Sequence, residues 1–75
     1  MSLSELKENR EARVTEICGD PRFISRIASI GLTPGCVIMV VKNDRNRPML
    51  IYSRDTMIAL NRKDCTGIKV EEVTA

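Results

Sequence analysis

The stretch Ser29–Ile38, SIGLTPGCVI, places Gly31, Pro34 and Gly35 between an apolar segment with helical spacing and an apolar segment suited to a strand. Gly31 supplies the left-handed residue that ends helices. Pro34 and Gly35 fit the two central positions of a type II turn, whose second position needs φ > 0. Upstream, Asp20 is a good N-cap, and Pro21 suits the first helical position, where a missing N–H costs nothing. Phe23, Ile24, Ile27, Ala28 and Ile30 then recur on one helical face, with Arg22, Ser25, Arg26 and Ser29 opposite. Downstream, CVIMVVK (36–42) reads as a strand. The corner is therefore a helix stop followed by a chain reversal into a strand.

The rest of the chain is punctuated in the same way. Leu3 and Leu6 face inward from one short helical turn in residues 2–9, which is too short to stand without docking. In EARVTEIC (11–18), Ala12 and Val14 alternate with Arg13 and Thr15. Ile17 breaks the parity and puts a bulge or a strand end near Glu16. NDRNRP (43–48) is a polar hairpin tip, and MLIYS and TMIAL are strands joined by a tight turn at Arg54-Asp55. NRKDCTG is one capped helical turn, opened by Asn61 and closed by Gly67. IKVEEV is the last strand, with Ile68 and Val70 on one face. About five short strands, with one helix after the first, predict a mainly β single domain over residues 1–75. A small barrel suits them, because closing a sheet removes its edges. The later loops are too short for parallel crossovers.

Composition narrows the function. Seventy-five residues bury only roughly 60–65% of the unfolded chain's surface, so the core is small. The 12 basic and 10 acidic residues leave +2, too little to imply nucleic acid or an anionic membrane. The chain has no Trp, one Phe (Phe23), one Tyr (Tyr52) and no His. It therefore lacks the aromatic platforms that stack bases or grip proline-rich peptides. It also lacks the usual general base near neutral pH and the commonest transition-metal ligand. Neither catalysis nor a bound cofactor is expected. Cys18, Cys36 and Cys65 form no C-x-x-C pair and read as small buried hydrophobes in a reducing compartment. Glu71 and Glu72 are adjacent on a strand and point to opposite faces, which makes a poor chelator. Arg45 and Arg47 in the polar tip are the residues best placed to touch phosphates, but low net charge and few aromatics speak against nucleic acid. The polar start of the chain has no apolar signal core, and Cys36–Val41 is far shorter than the ~20 residues of a membrane span. A cytoplasmic protein is expected, reaching a membrane only through a partner.

At SRIASIGLTPGCVIMV and TMIALNRKDCTGIKV the chain resembles the FeoA family, small bacterial proteins with an SH3-like barrel that accompany the ferrous-iron transporter FeoB. A related barrel forms the C-terminal domain of repressors of the diphtheria-toxin-repressor type. The resemblance rests on Leu3 and Leu6, Gly19-Asp20, Arg22 and Arg26, Ile30–Gly35, Ile58-Ala59-Leu60 and Ile68–Val70, and covers nearly the whole chain. IGLTPG is its most specific block. Asn9, Asp55 and Cys65 stand where the family often has Gly, Gly and Ala.

The resemblance implies a non-enzymatic adaptor that docks on the cytosolic side of a FeoB-type membrane GTPase and modulates its assembly or activity. It has no catalytic residues to transfer. The alternative is a stand-alone regulatory domain of the metal-dependent repressor type, binding a protein segment or nucleic acid. In the family frame Ile38, Val40, Ile51 and Ser53 point into the barrel, while Val37, Met39, Leu50 and Tyr52 point outward as one patch. Either the Phe23–Ala28 helix or the N-terminal segment covers that patch, or it binds a partner or a second copy. Arg22 and Arg26, one turn apart, are either ordinary surface charge or partners for acidic groups on the transporter.

Overall fold

The computed structural model describes residues 1–73. A 3-10 turn, Leu3–Glu5, opens the chain, and β1 (Glu11–Ile17) follows. Then come α1 (Pro21–Ser29), β2 (Val37–Lys42), β3 (Met49–Ser53), β4 (Thr56–Leu60), α2 (Arg62–Cys65) and β5 (Ile68–Glu72). The strands form one antiparallel sheet in the order β4-β3-β2-β1-β5. This is the small SH3-like arrangement expected, with its helix after the first strand, but the sheet does not close on itself. β4 and β5 are its two ends. The β5 end is covered, since Val70 N–H donates to the Met1 carbonyl at 2.9 Å and Ser2 bridges Lys69.

The corner at Gly31–Gly35 forms as its residues dictate. Gly31 takes φ +103° at the end of α1, and its N–H donates to Ala28 O at 3.0 Å. Gly35 takes φ +94°, and Cys36 N–H closes the turn on Thr33 O at 3.0 Å. The turn is also stitched to β1. Gly35 N–H donates to Val14 O at 2.7 Å, and Val14 N–H to Cys36 O at 2.8 Å. Leu32, between helix stop and turn, is fully buried and anchors the corner in the core. At the other end of α1, Asp20 caps the helix by accepting from Phe23 N–H at 2.8 Å.

Strand parity sorts the core. Ala12, Val14, Ile38, Val40, Met49, Ile51, Ile68 and Val70 point inward, joined by Leu3 and Leu6 from the N-terminal turn and its exit. The register of β1 against β5 shifts between Val14 and Glu16, which accounts for the parity break at Ile17. Ser53 also faces inward, its hydroxyl satisfied by Val37 O at 3.2 Å and by the Cys36 thiol at 3.1 Å.

Two expectations are corrected. The α1 face is narrower than its periodicity suggests. Ile27 is buried and Phe23 half-buried, but Ile24 and Ile30 are each 39% exposed and Ala28 is exposed. In this nine-residue helix Ile27 is the one buried residue, so only part of the apolar arc finds a cover. Gly67 does not close α2 with a left-handed residue, because Thr66 caps α2 in a right-handed conformation. Gly67 is needed for close approach instead, as its Cβ would stand 2.7 Å from the Cys18 carbonyl and 3.2 Å from the Phe23 ring.

Candidate interaction face

β2, β3 and β4 turn one face to the core and the other to solvent. Ladder pairing assembles the outward residues side by side, with Met39 opposite Tyr52, Tyr52 opposite Met57, and Leu50 opposite Ala59. Neither α1 nor the N-terminal segment covers them. Val37 is 43% exposed, Tyr52 38% and Met57 55%, while Met39 and Leu50 are half-buried among their neighbours. The four outward residues expected from parity therefore lie on one open face. A shallow hollow of about 340 Å³ runs over it, lined by Val37, Met39 and Tyr52 and edged by Glu11, Arg54 and Asp55. An apolar centre with a charged rim is the usual anatomy of a protein interface.

The turn beside this face holds Tyr52 in place. Arg54 and Asp55 both adopt positive φ (53° and 61°), as a two-residue turn matched to strand twist requires. The Tyr52 hydroxyl donates to Asp55 Oδ1 at 2.9 Å, and this bond pushes the phenol pKa up from its ordinary value. The ring is thus held by its polar end, with its apolar body on the open face. The patch expected from the parity of β2 and β3 alone leaves out Met57 of TMIAL. Pairing it with MLIYS across a two-residue turn puts Met57 next to Tyr52 and supplies the signal.

Arg22 and Arg26 lie elsewhere, around a separate hollow of about 380 Å³ that also takes in Asp20 and Phe23. No lining residue is shared with the outward face. Arg26 has internal work, pairing with Asp64 of α2 at 3.0 Å and stacking over the Phe23 ring at 5.5 Å. Arg22 is exposed, with no ion pair among the described residues. Gly31, Pro34 and Gly35 lie in the turn between α1 and β2 and line neither hollow.

Among the described residues, no three His, Cys, Asp or Glu side chains come together as a metal site. Glu71 and Glu72 stand opposite Arg13 and Ala12, and Glu72 reaches Arg10 at 3.6 Å. Cys36 and Cys65 are buried, and burial pushes the Cys65 thiol up to about 11, disfavouring the thiolate that binds metals or attacks electrophiles. No helix of the described chain is long and apolar enough to cross a membrane.

The chain is thus a small SH3-like sheet that keeps one apolar face open to solvent. The FeoA domain model matches residues 1–72, and the chain belongs to the FeoA family, whose members take part in ferrous iron transport. Its structure resembles a crystal structure of an iron uptake regulatory protein (FeoA), with TM-score 0.93, 25% identity and 97% of each chain covered. It also resembles the FeoA protein from Chlorobium tepidum, with TM-score 0.88 and 27% identity over 99% of this chain and 71% of that one. A manganese-dependent transcriptional repressor shares the fold alone, with TM-score 0.88 and 17% identity. The match covers 97% of this chain and 41% of the repressor. No curated protein matches the sequence.

Proposed function

We propose that the protein is a non-enzymatic cytoplasmic accessory of a bacterial ferrous-iron uptake system. It docks through the outward face of β2–β4 on the cytosolic side of a FeoB-type GTPase transporter and modulates that transporter's assembly or nucleotide hydrolysis. The observation that carries this reading is the uncovered apolar patch of Val37, Met39, Tyr52 and Met57 on a FeoA-family fold. Ferrous iron is the transporter's cargo, and this chain's residues supply shape and contact rather than ligands. Modulation requires that the face bind one state of the transporter better than another, since equal affinity for both shifts nothing. Arg22 adds a charge that steers the approach to an acidic partner.

The test is co-purification with the transporter. Replacing Met39 and Tyr52 together (Met39→Glu, Tyr52→Lys) puts charge into the centre of the patch while leaving every core residue in place. Loss of the transporter with an unchanged thermal transition is expected. Retention of the transporter by the folded double variant would refute docking through this face.

A further inference from the structure

The two ends of the sheet are treated differently. β5 carries Lys69, Glu71 and Glu72 and is covered by Met1 and Ser2. β4, Thr56–Leu60, carries no charge, no Pro and no Gly, and pairs with β3 without a bulge. Proteins ordinarily blunt a free edge with charge, proline or a bulge, because a bare one recruits another strand. β4 has none of these.

The phase of the hairpin shows which groups are free. With Arg54-Asp55 as a two-residue turn, Ser53 and Thr56 form the hydrogen-bonded pair that closes it. Alternation then makes Ile51–Ile58 hydrogen-bonded, while Met57 and Ala59 point their N–H and C=O groups away from β3. The next ladder agrees: Val40, opposite Ile51, turns its N–H to Arg10 O at 3.0 Å, on the β1 side. Among the described residues, no main-chain bond outside the ladders reaches Met57 or Ala59.

We propose that a second copy of this chain occupies the edge, β4 pairing antiparallel with β4 about a two-fold axis at Ile58. In that register Met57 of each copy lies opposite Ala59 of the other, and each pair exchanges both of its main-chain hydrogen bonds. The register also aligns the whole strand, Thr56 opposite Leu60.

The side chains are complementary under the same axis. Beside Ala59 lies a hollow of about 200 Å³, lined by Ile27, Ile30, Ala59 and Leu60, with the paired Arg26 and Asp64 at its rim. The flexible, exposed Met57 of the copy falls opposite Ala59, in position to fill that hollow and cover Ile30. Like charges meet only beyond the strand ends, where Arg54 faces Arg62, and the Arg62 guanidinium is drawn off to Asn43 Oδ1 and Asp44 O. This pairing does not rest on docking to a transporter.

The test is the mass of the purified full chain by sedimentation equilibrium up to about 1 mM, the regime of weak edge pairing. The mass is expected to rise from 8.4 kDa toward twice that value. Met57→Lys and Ala59→Pro, which alter only outward groups, return it to the monomer, while Val37→Lys, on the far side of the outward face, leaves the dimer intact. Exchange of the Met57 and Ala59 amides slows at least about tenfold between dilute and concentrated wild-type protein, a readout that needs no variant to fold. A monomer at the highest concentration, concentration-independent exchange at these amides, or a dimer lost with Val37→Lys but kept with Met57→Lys would each overturn the proposal.

Discussion

Arg26 of α1 reaches Asp64 of α2 at 3.0 Å, tying the helix after the first strand to the helical turn before the last. The pair links segments 38 residues apart at a corner where Ile27 is the only fully buried contact from α1. It also means that Arg26 makes an intramolecular contact of its own, so a loss of binding on its replacement would not by itself mark a docking residue. Arg22 is the cleaner probe.

The Arg26–Asp64 pair is exposed on the arginine side and contributes little. A double-mutant cycle of Arg26→Ala and Asp64→Ala in urea is expected to give a coupling of about 0.5–1 kcal/mol, shrinking toward zero near 1 M salt. A coupling of several kcal/mol would mean that the pair is far better desolvated than its exposure indicates.

Alanine at two glycines should destabilise for different reasons. Gly67→Ala drives a Cβ to 2.7 Å from the Cys18 carbonyl and against Phe23, and is expected to cost about 2–3 kcal/mol. Gly35→Ala meets open space, but its φ of +94° strains any L side chain, for a cost of about 1–2 kcal/mol. Replacing Gly35 with Asn, which tolerates left-handed backbone better, recovers part of the loss. Denaturant unfolding of the three variants checks both causes.

Along α1, Ile27→Ala is expected to cost about 3 kcal/mol, whereas Ile24→Ala stays within about 0.5 kcal/mol. The two differ by less than a helical turn in sequence and by nearly everything in burial. Similar losses at both would mean that Ile24 is covered in solution.

Cys65 makes stability depend on pH at the alkaline end. Burial pushes its folded pKa up from the ordinary 9.0 to about 11, so the native state holds this proton more tightly than the unfolded chain. The resulting stability is complete below pH 9 and is lost as pH rises to 11, by about 1.4 kcal/mol per unit. Cys65→Ala removes this component of the slope. Thiol labelling at pH 8 should find Cys18, the half-buried cysteine, well before Cys36 and Cys65.

Much of the outward face could be read from strand parity within the frame that the family resemblance supplies. MLIYS and CVIMVVK are apolar on both faces, so the family frame is what puts Ile38 and Ile51 inside; strand parity, with its period of two, then forces Met39 and Tyr52 outside. Met57 lies on a third strand and joins the face through the phase that the two-residue turn at Arg54-Asp55 sets between β3 and β4. The buried arc of α1 is narrower than its periodicity for a related reason. Periodicity shows which residues share a face, but not how wide a surface there is to receive it.

Local chemistry in the sequence determined the Asp20-Pro21 helix start, the stop at Gly31, the Pro34-Gly35 reversal and the break in the parity of β1 near Glu16. Each depends on backbone preferences or on a period confined to a few neighbouring residues. Tertiary structure alone decided that the sheet stays open, that β5 is covered while β4 is bare, that Gly67 serves the Cys18 carbonyl, and that Arg26 belongs to Asp64. These outcomes depend on residues far apart in the chain meeting at ångström distances, and no local preference encodes that meeting.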